Sequence, residues 1–157
     1  MLNKDYKEML QLLLEERVEF MLVGAYAMGA HGYPRATGDI DIWVEASKSN
    51  APKVINALQK FGAPLAQVSL QDFSHEGTVF QIGVAPRRID IITKISGVTY
   101  QEANQDKIIV NVEGLNIPVI SLDKFVKNKL ASGRDKDTID VKYLMEARDK
   151  NNLKKKK

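Results

Sequence analysis

The chain has 157 residues, of which 44% are hydrophobic and 27% charged, the make-up of an ordinary globular protein with material for one sizeable core. It contains no cysteine, which excludes disulfides and thiolate metal sites and makes a reducing cytoplasm the expected compartment. The net charge of +3 is smaller than the contribution of the four terminal lysines, so the basic balance is an end effect and gives weak support to a nucleic-acid partner.

Residues 2–17 predict an amphipathic helix, because Leu2, Tyr6, Met9, Leu10, Leu13 and Leu14 fall on one stripe. Acids and bases are mixed through it, unlike a signal peptide. "EFMLVG" (19–24) reads as a short buried strand ending at Gly24. The run "FMLVGAYAMGA" is too short and too glycine-rich to span a bilayer, so no membrane association is expected. "AYAMGAHG" (25–32) suits a short, tightly packed helix, and "YPRATG" (33–38) is a loop by its Pro and Gly. A strand over 39–45 follows, then a helix from Ser47 or Ser49 to about Phe61 with Pro52 in its first turn.

Residues 62–76 give no clear pattern. "TVFQIGV" (78–84) and "RRIDIIT" (87–93) read as a hairpin closed by "AP"; 99–106 is a helical turn; and 107–112 with 115–120 form a second strand pair joined by "EG". Two helices, about Ser121–Ala131 and Asp135–Lys150, are separated by "SGR". Hairpins combined with helix crossovers predict an α+β fold with a mixed sheet in a single domain over 1–150, followed by a disordered basic tail over 151–157.

The chemistry concentrates in "GDIDIWVE" (38–45). Side chains at i and i+2 of a strand share a face, so Asp39 and Asp41 lie side by side while Ile40, Ile42 and Val44 point into the core. Two like charges so placed raise each other's pKa unless a cation neutralises them. Asp90, between Ile89 and Ile91, is either an ion-pair partner of Arg87 or Arg88 or a third carboxylate of the same site. Three carboxylates on neighbouring strands form a natural site for Mg²⁺, a hard cation with oxygen ligands that is commonly shared with phosphates. Gly24, where a strand meets a helix, allows close approach of an anion to free backbone N–H groups.

"VGAYAMGAHGYPRATGDIDIWVE" resembles the signature of the polymerase-β-like nucleotidyltransferase superfamily: an apolar strand, a Gly-Gly or Gly-Ser turn, then Asp-x-Asp, with a third Asp on a later strand. "PRATGDID" and the tail "SLDKFVKNKLASGRDKDTIDVKYL" are similar to small bacterial members related to minimal nucleotidyltransferases and AbiEii-type toxins. The chain departs from the pattern at Ala25, where Gly or Ser is usual, which removes a serine hydroxyl contact to phosphate.

The resemblance implies a twisted mixed β-sheet flanked by helices, with two C-terminal helices. It also implies transfer of NMP from an NTP, ATP in the first instance, to a hydroxyl with release of pyrophosphate. Asp39, Asp41 and Asp90 would be the catalytic and metal-binding acids, holding Mg²⁺ (or Mn²⁺), with Asp90 helping to deprotonate the acceptor. Gly24, Ala25, Arg35 and Thr37 would be the nucleotide-binding residues, and Lys129 is a further nucleotide-binding candidate on the separate ground of its place in an apolar stripe. The acceptor (protein, tRNA or small molecule) is open, and a cognate toxin or antitoxin protein is an implied partner. The alternative function is a non-catalytic nucleotide-binding, antitoxin or scaffold protein retaining the fold.

Two residues carry double readings. Lys129 falls inside the apolar stripe of Leu122, Phe125, Val126 and Leu130, so it needs an anion: a nucleotide phosphate, or Asp137 or Asp140 of the last helix. Trp43 shares the face of Asp41 and either stacks on a base or packs at the strand end. His31 and His75 lack metal-ligand spacing.

Overall fold

A computed structural model describes residues 2–155. It forms a six-stranded mixed sheet with seven helices in the order α1 (Lys4–Glu15), β1 (Phe20–Val23), α2 (Gly24–Ala30), β2 (Asp39–Val44), α3 (Ala51–Phe61), α4 (Leu70–Ser74), β3 (Val79–Ile82), β4 (Arg88–Ile92), α5 (Tyr100–Asp106), β5 (Ile108–Val112), β6 (Leu115–Val119), α6 (Leu122–Ser132) and α7 (Asp135–Lys155). The α+β class expected from the sequence is the class observed. The sheet order is β3-β4-β2-β1-β6-β5, with both hairpins at the edges and β2 in the middle.

The central strands fix the site. β1 runs antiparallel to β2, opposing Leu22 to Ile42 and Val23 to Asp41, while β2 and β4 run parallel and oppose Asp39 to Arg88 and Asp41 to Asp90. Strand periodicity therefore separates two faces. Ile40, Ile42 and Val44 are wholly buried with Leu22 and Ile91 on one, and Asp39, Asp41, Arg88 and Asp90 share the other. A one-residue slip in register would exchange acids for isoleucines, so burial of the apolar face also fixes the carboxylates.

Several boundaries differ from the sequence reading for local reasons. α1 starts at Lys4 because Asn3 caps it, its side chain accepting from the Tyr6 amide at 2.9 Å. α3 begins at Ala51 because the preceding residues are used elsewhere. The amide side chain of buried Asn50 accepts from Glu19 N (2.8 Å) and donates to the carbonyls of Glu19 (3.0 Å) and Glu45 (2.9 Å), tying α3 to β1 and β2. Inside the unassigned 62–76 stretch lies α4, held by a reciprocal Ser69–Asp72 capping box and by Phe73, its one buried residue. With a single apolar anchor it has no period to read.

Gly133, at φ 67°, ends α6 in the left-handed region. α7 continues to Lys155, beyond the expected end near Lys150, because neither Gly nor Pro interrupts 150–155. Residues 151–154, where the sequence reading begins the tail, are exposed, and Lys156 and Lys157 lie outside the described residues. Among the described residues no helix is long and apolar enough to cross a membrane.

Candidate active site

The three acids converge as their strand positions require. Asp39, Asp41 and Asp90 each present a carboxylate oxygen within 4.8 Å of the others. Arg88, two residues before Asp90 and opposite Asp39 in the register, completes the group. Its Nε donates to Asp90 Oδ1 (3.0 Å), and its Nη2 donates to Asp39 Oδ2 (2.7 Å) and Asp90 Oδ2 (3.2 Å). Both readings of Asp90 thus hold at once: it is paired with an arginine and it belongs to the carboxylate cluster. The sequence reading missed Arg88 as a site residue. The signal was available in the i, i+2 relation to Asp90, which puts the two on one face.

Asp41 is the acid left without a cation. Burial, reinforced by the charges of Asp39 and Asp90 and a hydrogen bond with Asp90, pushes its pKa up to about 7, against a weaker opposing pull from Arg88. An oxygen-only donor set with one uncompensated carboxylate suits a hard divalent cation, so the residues fit Mg²⁺. Nearby, the Tyr6 hydroxyl donates to the carbonyls of Pro86 (3.2 Å) and Arg88 (3.0 Å). Its pKa is pushed up to about 12, first by burial and then by Tyr26 and Asp39.

The raised Asp41 pKa carries a sign that can be tested. A carboxyl that holds its proton to about pH 7 in the folded state, but only to 3.8 when unfolded, binds more protons folded than unfolded between those values. Its contribution to stability therefore falls as pH rises through that interval. The melting temperature of metal-free protein in EDTA is expected to lose a component between pH 4 and 7 that Asp41→Asn removes. Equal pH profiles for the two proteins would show that Asp41 is not held protonated.

Gly24 sits against this group. Its φ of +69° is left-handed, and a Cβ there would collide with Asp41 Oδ2. The turn from β1 into α2 therefore demands glycine twice, for the backbone and for the acid. Gly24→Ala should cost at least ~1 kcal/mol for the conformation alone, and should weaken Mg²⁺ binding by displacing Asp41. Thermal melts and calorimetric Mg²⁺ titration read the two effects separately, and wild-type affinity in the variant would refute the coupling.

The loop before β2 also contributes. Thr37 Oγ1 donates to Asp39 Oδ1 at 3.0 Å, orienting the first acid. Arg35 pairs with Asp140 of α7. Lys129 Nζ donates to Asp137 Oδ1 (3.0 Å) and lies 3.2 Å from Asp140 Oδ2, with Lys129, Asp137 and Asp140 all buried. Arg134 Nε donates to Asp137 Oδ2 at 2.7 Å, and the Ser132 hydroxyl donates to the same oxygen. Although burial alone would raise it, the hydrogen bonds from Arg134, Ser132 and Lys129 and the Lys129 charge hold the Asp137 carboxyl below the usual range.

Asp140 thus links Lys129 to Arg35, and through the loop to Thr37 and Asp39. Trp43 is 1% exposed and packs edge-on against Tyr100 of α5 with ring centroids 5.0 Å apart, a packing role at the far end of β2. His31 Nε2 contacts the Ile120 carbonyl at 2.8 Å and His75 Nδ1 that of Gln71 at 2.9 Å, each a local tie.

No protein-family model matches the sequence, and no curated protein does. Solved structures do match. A protein of Thermotoga maritima, provisionally identified as a nucleotidyltransferase, superposes with a TM-score of 0.63 at 18% identity, over 93% of this chain and 96% of its own. The chain has the nucleotidyltransferase fold. The lincosamide antibiotic adenylyltransferase LnuA, in a lincomycin-bound structure, has a TM-score of 0.55 at 19% identity, over 92% of this chain and 97% of its own. An antigenic nucleotidyltransferase-like protein of Paracoccidioides brasiliensis has a TM-score of 0.52 at 17% identity, over 88% and 71%. On this shared fold, Gly24 and the three acids of this chain sit together at one end of β1 and β2 and on the adjoining β4.

Proposed function

We propose that the chain is a nucleotidyltransferase that moves a nucleoside monophosphate from an NTP, ATP in the first instance, to a hydroxyl, releasing pyrophosphate. The observation that supports this most is the convergence of Asp39, Asp41 and Asp90 within 4.8 Å of one another, on a nucleotidyltransferase fold. Mg²⁺, or Mn²⁺ in its place, would be held by these three acids and would neutralise the triphosphate and the leaving pyrophosphate.

The remaining roles belong to the chain itself. Gly24 and Ala25 offer backbone N–H groups to phosphate, Ala25 without a hydroxyl. Asp90, aligned by Arg88, accepts the proton of the attacking hydroxyl. Thr37 holds Asp39 in place, and Arg35 is available to phosphate when it leaves Asp140. Lys129 acts at one remove, by fixing Asp140.

A cytoplasmic setting and a small-molecule acceptor fit this reading, as LnuA is an antibiotic adenylyltransferase. A cognate protein partner of the toxin–antitoxin kind is a further element of it, tested by isolating the protein from its native cell. The main test is pyrophosphate release with each NTP in Mg²⁺ or Mn²⁺. The absence of both pyrophosphate release and an NTP-induced rise in melting temperature would overturn the proposal. A rise without release would point instead to a nucleotide-binding scaffold.

A further inference from the structure

Behind the acids lies a cleft of about 470 Å³ between α1, α2 and the β1-β6-β5 part of the sheet. Leu22, Val112 and Val119 wall it on the sheet side, and they belong to the face opposite the carboxylates. Polar side chains in the lining are few: Tyr26, Arg35 and Thr37. Arg35 is already engaged by Asp140, and Thr37 donates to Asp39. Thr37 is therefore common to both spaces, lining the cleft while its hydroxyl donates to the first of the three acids. The volume is that of a small-molecule site, far below what a folded partner or a nucleic-acid strand needs.

We propose that this cleft binds the apolar body of a small hydroxyl-bearing acceptor and directs its alcohol past Thr37 toward the acids. This rests on the transfer reaction proposed above. A nucleobase is the poorer occupant, because recognition of its edge needs several hydrogen-bonding side chains, whereas Arg35 and Thr37 are already engaged and the remaining walls, Tyr26 apart, are apolar. An aliphatic alcohol needs only removal of its chain from water, which these walls supply. In the step itself the alcohol oxygen bonds to the α-phosphorus of ATP, the bond from that phosphorus to the bridging oxygen breaks, and pyrophosphate leaves. The hydroxyl proton passes to Asp90, and the product is an alkyl ester of AMP.

The test uses the full chain with Mg²⁺, ATP and linear primary alkanols from butanol to octanol, with glycerol as the polar control. Pyrophosphate release and alkyl-AMP detected by mass spectrometry should rise with chain length. Each added methylene should improve apparent affinity by roughly fourfold until the cleft is full. Ala30→Phe and, independently, Val112→Phe place a ring in the cleft at positions outside the proposed catalytic group. Either should abolish the octanol response while leaving the ATP-induced rise in melting temperature unchanged.

Glycerol matching octanol, or an octanol response surviving both variants, would overturn the assignment. So would octanol competing with ATP, which places the base in the cleft, or a dimer that Ala30→Phe dissociates, which places a second copy there. If no NTP is turned over, the transfer reading fails by itself, and octanol binding without nucleotide still decides the cleft. NMR shifts at Tyr26 and Thr37 that Ala30→Phe abolishes support an apolar-ligand site, and their absence overturns it.

Discussion

Asp39→Asn and Asp41→Asn are each expected to reduce nucleotidyl transfer by ~10²-fold or more while leaving the fold intact. Both acids lie on the face of β2 opposite the buried isoleucines, so replacing either removes no core contact. The two variants should nevertheless differ without metal. Asp39 is already compensated by Arg88 and by the Thr37 hydroxyl, so its loss frees an arginine and should be close to neutral for stability. Asp41 forms no ion pair among the described residues and feels only a weak pull from Arg88, so Asn there removes an unfavourable charge. Above pH 7 in EDTA, Asp41→Asn should melt higher than the parent, and the order should reverse when Mg²⁺ is added, because only the parent gains metal-binding energy. Pyrophosphate release and paired melts with and without Mg²⁺ provide the measurement. Full activity in either variant, or a parent whose stability ignores Mg²⁺, would remove the metal site from these acids.

The strand carrying this chemistry was legible because alternation in β-strands is strict: acids at 39 and 41 among isoleucines and valine can only mean one polar and one apolar face. The turn at Gly24 was legible for a similar reason, since only glycine accepts both the backbone and the neighbouring acid. Sequence reasoning weakened wherever the deciding partner is distant in the chain. Arg88 could be seen beside Asp90, but its bond to Asp39, 49 positions away, depends on the parallel pairing of β2 with β4. The Arg35–Asp140 pair spans 105 positions and depends on how α7 packs over the loop before β2. α4 was missed because five residues with one buried side chain show no period, although its capping box was present as Ser69-x-x-Asp72. The apolar cleft was equally invisible, since its walls come from five separate elements whose residues each read as ordinary core.

Lys129 is where distance in sequence and stability meet. Its side chain is 7% exposed, and its ammonium lies 3.0 Å from Asp137 and 3.2 Å from Asp140, acids which are themselves almost wholly buried. Removing one member of such a group strands the others, and breaking a buried pair from one side costs roughly 3–5 kcal/mol. Lys129→Met keeps the apolar stem of the side chain and removes the ammonium, with its ion pairs and its position 5.2 Å from the centroid of the Phe125 ring, so the loss is electrostatic. For a domain of this size that corresponds to a melting temperature lower by roughly 10 °C. Arg134 and Ser132 still hold Asp137, so Asp140 should bear most of the cost, with Arg35 its remaining cation. The Mg·ATP-induced rise in melting temperature should survive in the variant, because Lys129 faces α7 carboxylates rather than the acids of β2 and β4. A stable apo variant that has lost that rise would place Lys129 on the nucleotide phosphates instead. Lys129→Met combined with Asp140→Asn should then recover part of the stability, since the second change removes the stranded charge, whereas a phosphate-binding lysine predicts no such coupling.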